Sequence, residues 1–306
     1  MEKLKTLAAQ VSNWGRWGAD DERGTTNFIT PDVVRRGAAC VRRGKVFSLG
    51  LSFGSDGPQI GQGGRVNPQH FMSALHGSYG PNPEGFHYND DVVVMPLQCA
   101  TQWDSLAHVY YGGKLYNGYP EASVSSTGAA KNAIDKQANG IVSRGVLLDV
   151  ARAAGVERLP PGRVITADDF AAAEKEQGVR VESGDVLLIR TGHITVFTKD
   201  GNREVYMRQM PGLGFASVPW LHERQVAAVA TDTNAVEVIP FEDPSTPLPI
   251  HLLCIRDMGL TLGEMFYLED LAADCAADGV WEFFFTAPPL KVSGGVGSPL
   301  NPLAVK

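Results

Sequence analysis

The chain lacks any CxxC pair, and its four cysteines, Cys40, Cys99, Cys254 and Cys275, stand far apart. That spacing argues against a disulfide framework or a thiolate zinc knuckle and fits a reducing cytoplasm. No uncharged apolar run approaches the ~20 residues that span a bilayer. The opening MEKLKTLAAQVSNWGRWG has too short an apolar stretch for a secretory signal peptide. Basic residues are in deficit, with 27 Lys and Arg against 34 Asp and Glu and a net charge of -7. No basic field therefore exists to hold nucleic acid or an anionic membrane. Internal repeats, low-complexity tracts and linkers are also missing, so residues 1–306 read as one domain.

What is present suits a large buried core: 43% of residues are hydrophobic and 20% charged. With 34 Gly and 19 Pro, much of the chain should be strand, turn and ordered loop. Pro31 to Gly44 reads as a helix, 45–53 as a strand and 90–97 as a buried β-branched run. Residues 54–89 lack periodicity and read as a long functional loop. Continuously apolar strands are expected at 145–151 and 185–191, and a small-residue strand at 226–233. TADDFAAAEKEQG (166–178) is the clearest helix, with a Thr166–Asp169 capping box and Gly178 past its end. Helices at 217–225 and 268–279 and a proline-broken strand at 280–292 complete an α/β pattern.

Two generic motifs carry little weight. Gly50-Leu-Ser52-Phe-Gly54 fits the GxSxG of serine hydrolases, but SDGPQIGQGGR follows, where that chemistry needs a helix. Gly212-Leu-Gly214-Phe-Ala-Ser217 opens no βαβ unit and reads as a turn before the next helix.

QCATQWDSLAH (98–108) raises a sharper question. Gln98, Gln102, Asp104 and His108 all offer lone pairs. In a straight strand they share one face, yet Gln98 and Asp104 would lie roughly 20 Å apart. Convergence on one ion needs a curled segment or a bulge at a strand end. Oxygen-rich donors suit a hard or borderline divalent ion, and a polar loop remains the alternative. Asp232 falls at a strand end, where α/β sites tend to sit. Further on, His251 and Glu264 lie among apolar neighbours with an expected strand between them. A buried carboxylate such as Glu264 needs partners.

Aligned to the signature HxGTHxDxPxH, the stretch reads Gln98-Cys-Ala-Thr101-Gln102-Trp-Asp104-Ser-Leu-Ala-His108. The chain resembles the cyclase family of metal-dependent hydrolases, which includes bacterial kynurenine formamidase and isatin hydrolase. GTTNFITP (24–31), GDVLLIRTG (184–192), PGL (211–213), WLHERQVAAVATDT (220–233), GLTLGE (259–264) and GSPLNPLAV (297–305) carry the likeness along the chain. Residues 54–90 and 193–210 stand out from it as loop insertions. The signature's first two histidines are glutamine here, its Gly is Ala100 and its Pro is Leu106. A branch resembling trans-dienelactone hydrolase carries this Q-xxx-Q-x-D-xxx-H form.

The resemblance implies a swivelling β/β/α fold with a mixed sheet and flanking helices. It implies one or two divalent ions, zinc or manganese, held at Gln98, Gln102, Asp104, His251 and Glu264. It gives proton transfer to His108, and it implies a homo-oligomer. The implied reaction opens a lactone, cyclic amide or acyl-amide bond of a small substrate, of the kind met in aromatic-compound catabolism. Trp103 and Tyr110, with His87, Tyr88 and Tyr111, are candidates to line a pocket, and His70 and His76 to reach it. His193 and His222 are expected to have no site role. A non-catalytic binding protein on the same scaffold, or a serine hydrolase using Ser52, are the competing readings.

Overall fold

The computed structural model describes residues 2–306. Nine strands form its main sheet. Numbered in chain order they are β1 Val46–Ser48, β2 Gln102–Asp104, β3 Val142–Asp149, β4 Val186–Arg190, β5 Ala228–Thr231, β6 Thr261–Glu264, β7 Glu282–Thr286, β8 Gly297–Pro299 and β9 Leu303–Val305. Their order in space is β1-β9-β7-β3-β4-β5-β6-β2-β8. The four central strands β3 to β6 run parallel. Antiparallel strands extend the sheet on both sides. This is the expected mixed α/β sheet with flanking helices.

Continuously apolar strands need cover on both faces, and here both have it. Val146, Leu148, Leu187, Ile189 and Val229 point into one core, with Phe170, Val218 and Leu221 from overlying helices. Leu147, Val186, Leu188, Ala228 and Ala230 point into the other, with Trp103, Phe283 and Phe285 and with Leu271 and Cys275 of the helix Glu269–Asp278. The helix Ala167–Gln177 forms as its sequence dictates. Its Thr166–Asp169 capping box closes, and Gly178 takes φ +63°, a left-handed conformation that suits glycine.

Elsewhere the chain departs from its pattern. The helix that starts at Pro31 stops at Ala38, the strand after it spans only Val46–Ser48, and the helix expected at 217–225 spans Val218–Glu223, while that at 268–279 forms as Glu269–Asp278 with Gly279 past its end. Residues 54–89 are not one loop, because Gln69–Ser78 pairs with His87–Val94 in an antiparallel hairpin. The β-branched run belongs to that hairpin and is not buried: Val92, Val93 and Val94 are 47%, 49% and 59% exposed. Residues 193–210 hold two short helices, Ile194–Thr198 and Arg203–Arg208. Between His251 and Glu264 lies helix as well as the strand β6, since Pro249–His251 runs into a π-helical stretch, Leu252–Met258. A short buried apolar run fits helix or strand equally well by periodicity, and Pro249 in the first turn tips it to helix. No helix among the described residues is long and apolar enough to cross a membrane.

Candidate metal centre

β2 lies between β6 and β8, near one edge of the sheet. Strand alternation puts Gln102 and Asp104 on one face and Trp103 on the other. Glu264 stands beside Gln102 and Gly263 beside Trp103. On the other side Gly297 stands beside Asp104. The chain turns at residues 97–98 before β2 and at 106–107 after it, so this stretch is curled and not straight.

Asp104, His251 and Glu264 bring ligand atoms within 4.8 Å of one another, and all three are buried. His251 Nε2 lies 3.1 Å from Glu264 Oε1 and 3.8 Å from Asp104 Oδ2. The Gln102 amide donates to Glu264 Oε2 at 2.7 Å and to Asp104 Oδ1 at 3.2 Å. His108 Nε2 stands 3.8 Å from the same Asp104 oxygen. Gln98 lies against Gly297, the register neighbour of Asp104, where a Cβ would come within 2.5 Å of its Nε2. The absence of a side chain at Gly297 gives that amide its room.

Local backbone holds these groups in place. Thr101, matched in the signature, donates its hydroxyl to the Met265 carbonyl at 2.6 Å, next to Glu264. Met265 takes φ +57°, and Leu248, at the start of the helix that carries His251, takes φ +51°. Two non-glycine residues in the left-handed region flank the His251–Glu264 pair, and such strain collects at functional sites.

Glu237 was not singled out by the sequence. Its carboxylate lies 2.5 Å from His251 Nδ1 and accepts the backbone N–H groups of Ile250 and His251. It is fully buried between Val236 and Val238, the same signal that marked Glu264. Asp232, the acid that did attract notice nearby, serves the backbone instead. It accepts from Thr191 N, Thr191 Oγ1 and Gly192 N.

The electrostatics ask for a cation. Burial, and then Asp104, push the Glu264 carboxyl upward. Burial pulls His251 down, but hydrogen bonds to Glu237 and Glu264 outweigh it and lift His251 well above its usual value. Three buried carboxylates share one imidazole, and Asp104 Oδ2 and Gln102 Oε1 have no hydrogen-bond partner. Unpaired buried lone pairs beside like charges are costly unless protons or a metal ion answer them. An oxygen-rich donor set with one imidazole and no thiolate fits a hard or borderline divalent ion. Burial pulls the pKa of His108 down, against the pull of Asp104.

A cavity of about 390 Å³ opens onto this cluster. His108, His251 and Glu264 form its polar end, with Ile239, Phe241 and Pro247 among its apolar walls. The expected pocket residues are elsewhere. Trp103 is fully buried in the core, its indole donating to the Ala287 carbonyl at 2.9 Å. His70 sits on the exposed hairpin and pairs with Asp91, and His76 is an exposed residue of the same hairpin. Tyr110 is 44% exposed and does not line the cavity. Tyr111 binds Asp257, and His87 and Tyr88 belong to the hairpin. Ser52 is exposed, and no helix follows it. His193 is buried and stacked on Tyr206 and is not among the clustered ligand residues.

The family described as "Putative cyclase" matches residues 26–238. Among curated proteins, none matches the chain significantly. A crystal structure described as a novel cyclase is 41% identical, covers 97% of this chain and all of its own, and superposes with a TM-score of 0.89. Isatin hydrolase A from Ralstonia solanacearum is 23% identical over 90% of this chain and 98% of its own, with a TM-score of 0.64. Isatin hydrolase A from Labrenzia aggregata is 21% identical over 87% and 94%, with a TM-score of 0.62.

Proposed function

Starting from the premise that the chain belongs to the cyclase family, we propose that it is a metal-dependent hydrolase acting on a lactone, cyclic amide or acyl-amide bond of a small substrate. The observation that carries this reading is the buried cluster of Asp104, His251 and Glu264 at the end of the cavity. Those three residues, with Gln102 and Gln98, would hold zinc or manganese. When bound, such an ion acidifies water from a pKa of ~15.7 towards ~7 and polarises a carbonyl. Glu237 fixes the His251 ring through Nδ1, so that Nε2 faces Asp104 and Glu264. His108, at the cavity wall, takes or returns the proton that lets the alkoxide or amine leave. The apolar walls seat the carbon skeleton and keep bulk water from it. The four free cysteines fit a cytoplasmic enzyme. Purified protein should open dihydrocoumarin or a related lactone, lose that activity to a chelator and regain it with zinc or manganese. A metal-free protein that only binds such compounds, or activity indifferent to chelation, contradicts the proposal. Ser52→Ala should leave the rate unchanged, which separates this chemistry from a serine hydrolase.

Glu237→Gln keeps the shape but weakens the grip on His251 Nδ1. Partners of this kind are worth about 10–100-fold in metal affinity or activity. Titration of apo protein with zinc should show that loss, and an unchanged affinity would remove Glu237 from the site.

We also propose that the hairpin joins two copies of this chain. Phe71, Met72, Leu75, Tyr79, Phe86 and the run Val92–Val94 are all exposed on it. At 150–250 Å² for a large aromatic and somewhat less for an aliphatic, their uncovered parts total roughly 800–1,000 Å² over the two faces of the hairpin, so a partner copy must clasp both. One partner of a standard interface buries about 800 Å², and a lone two-stranded hairpin is marginal in water. Light scattering should give a multiple of 32.9 kDa for the wild type. The triple substitution Phe71→Ser, Leu75→Ser, Phe86→Ser should give the monomer mass. A wild-type monomer at micromolar concentration contradicts the assignment.

A further inference from the structure

Arg65 lines the same cavity, with Gln59, Gln62 and Gly63 of the segment before the hairpin. The segment leading to it is a glycine turn, with Gly61, Gly63 and Gly64 at φ +88°, +63° and +76°. These left-handed positions favour glycine, and they let the backbone of Gln62 and Gly63 form cavity wall before the chain enters the hairpin. Of the residues lining the cavity, Arg65 alone carries a fixed positive charge. It is half-buried; its backbone N–H donates to the Gln62 carbonyl, but among the described residues its guanidinium makes no hydrogen bond or ion pair. Buried arginines elsewhere behave differently. Arg144 is held by Asp185 and Glu282, and Arg190 by Asp149 and Glu269.

A guanidinium that loses part of its water without gaining a partner presents a planar fork of donors, and a carboxylate fills that fork with two parallel hydrogen bonds. The wall beside it, with Ile239, Phe241 and Pro247, suits a carbon skeleton and offers an anion nothing. The polar end, with His108 and Glu264, is where the reacting carbonyl must lie if the hydrolase reading holds. Resting on that reading, we infer that Arg65 is a specificity residue that clamps a carboxylate carried by the substrate. The substrate class is then a small, largely apolar lactone or amide that bears an acid group apart from the bond being cleaved. Arg65 also answers a problem of field. Glu264 lines the cavity and buried Asp104 and Glu237 stand close to it through His251, so an anionic substrate needs a cation on its approach.

Calorimetric titration of chelator-treated protein with phenylacetate, against the neutral isostere phenylacetamide, tests the clamp without metal and without turnover. Chelation matters because a carboxylate that reached an ion directly would bind regardless of residue 65. Wild type should prefer phenylacetate about tenfold or more, Arg65→Gln should erase the preference, and Arg65→Lys should restore only part of it because its ammonium is a point charge without the fork. Circular dichroism confirms that each variant is folded. No preference in the wild type, or a preference that survives Arg65→Gln, overturns the clamp. Chelator-sensitive opening of neutral dihydrocoumarin by wild-type protein tests the hydrolase reading by itself, so the two ideas can fail separately.

Discussion

Asp104→Ala is expected to lower hydrolysis by about 10³-fold or more, a loss of ~4 kcal/mol in transition-state stabilisation. Three features of Asp104 lead there. It comes within 4.8 Å of the ligand atoms of both His251 and Glu264. One of its oxygens has no partner, and the other faces both Gln102 and His108. Its register neighbour on β8 is Gly297, which offers no side chain in its place. The fold should not suffer. Removing one buried carboxylate from a group of three relieves like-charge repulsion, so apo stability should stay within about 1 kcal/mol of wild type or rise. Urea unfolding with and without zinc separates the two effects: the ion should stabilise the wild type and not the variant. Full activity in Asp104→Ala would refute its place in the reaction.

One residue away the expectation reverses. Trp103→Ala should cost about 3–5 kcal/mol of stability, the usual range for emptying a large aromatic site. Trp103 is fully buried, 5.3 Å from the Phe266 ring and 6.4 Å from that of Phe285, and its indole N–H satisfies the Ala287 carbonyl. Gly263 is adapted to it, since a Cβ there would come within 2.3 Å of the Trp103 ring. The midpoint of urea unfolding should therefore fall steeply. If instead Trp103→Ala remains as stable as wild type and raises KM, the indole contacts substrate and its placement in the core is wrong.

This pair of neighbours shows where the sequence was informative and where it was not. The central strands and the Ala167–Gln177 helix were legible because burial on two faces and capping both leave local marks. The grouping of Gln102, Asp104, His251 and Glu264 was visible through the family resemblance, while parity alone required a bend that periodicity could not place. Trp103 misled because aromatic character says nothing about which face of a strand a residue takes; β6 and β8 decide that. Val92–Val94 misled because a β-branched run reads as core, whatever covers it, and here the chain's own core does not. Glu237 and Arg65 matter through partners and surroundings far away in sequence, so their neighbours gave little notice.

The central claim is a divalent ion held by Asp104, His251 and Glu264, and a crystal grown with zinc or manganese tests it most directly through anomalous diffraction at that metal's edge. The account predicts a strong peak bonded to all three side chains, with the Gln102 amide turned to offer its oxygen. A metal-soaked crystal with no peak there, the cluster still closed around its own hydrogen bonds, would contradict it.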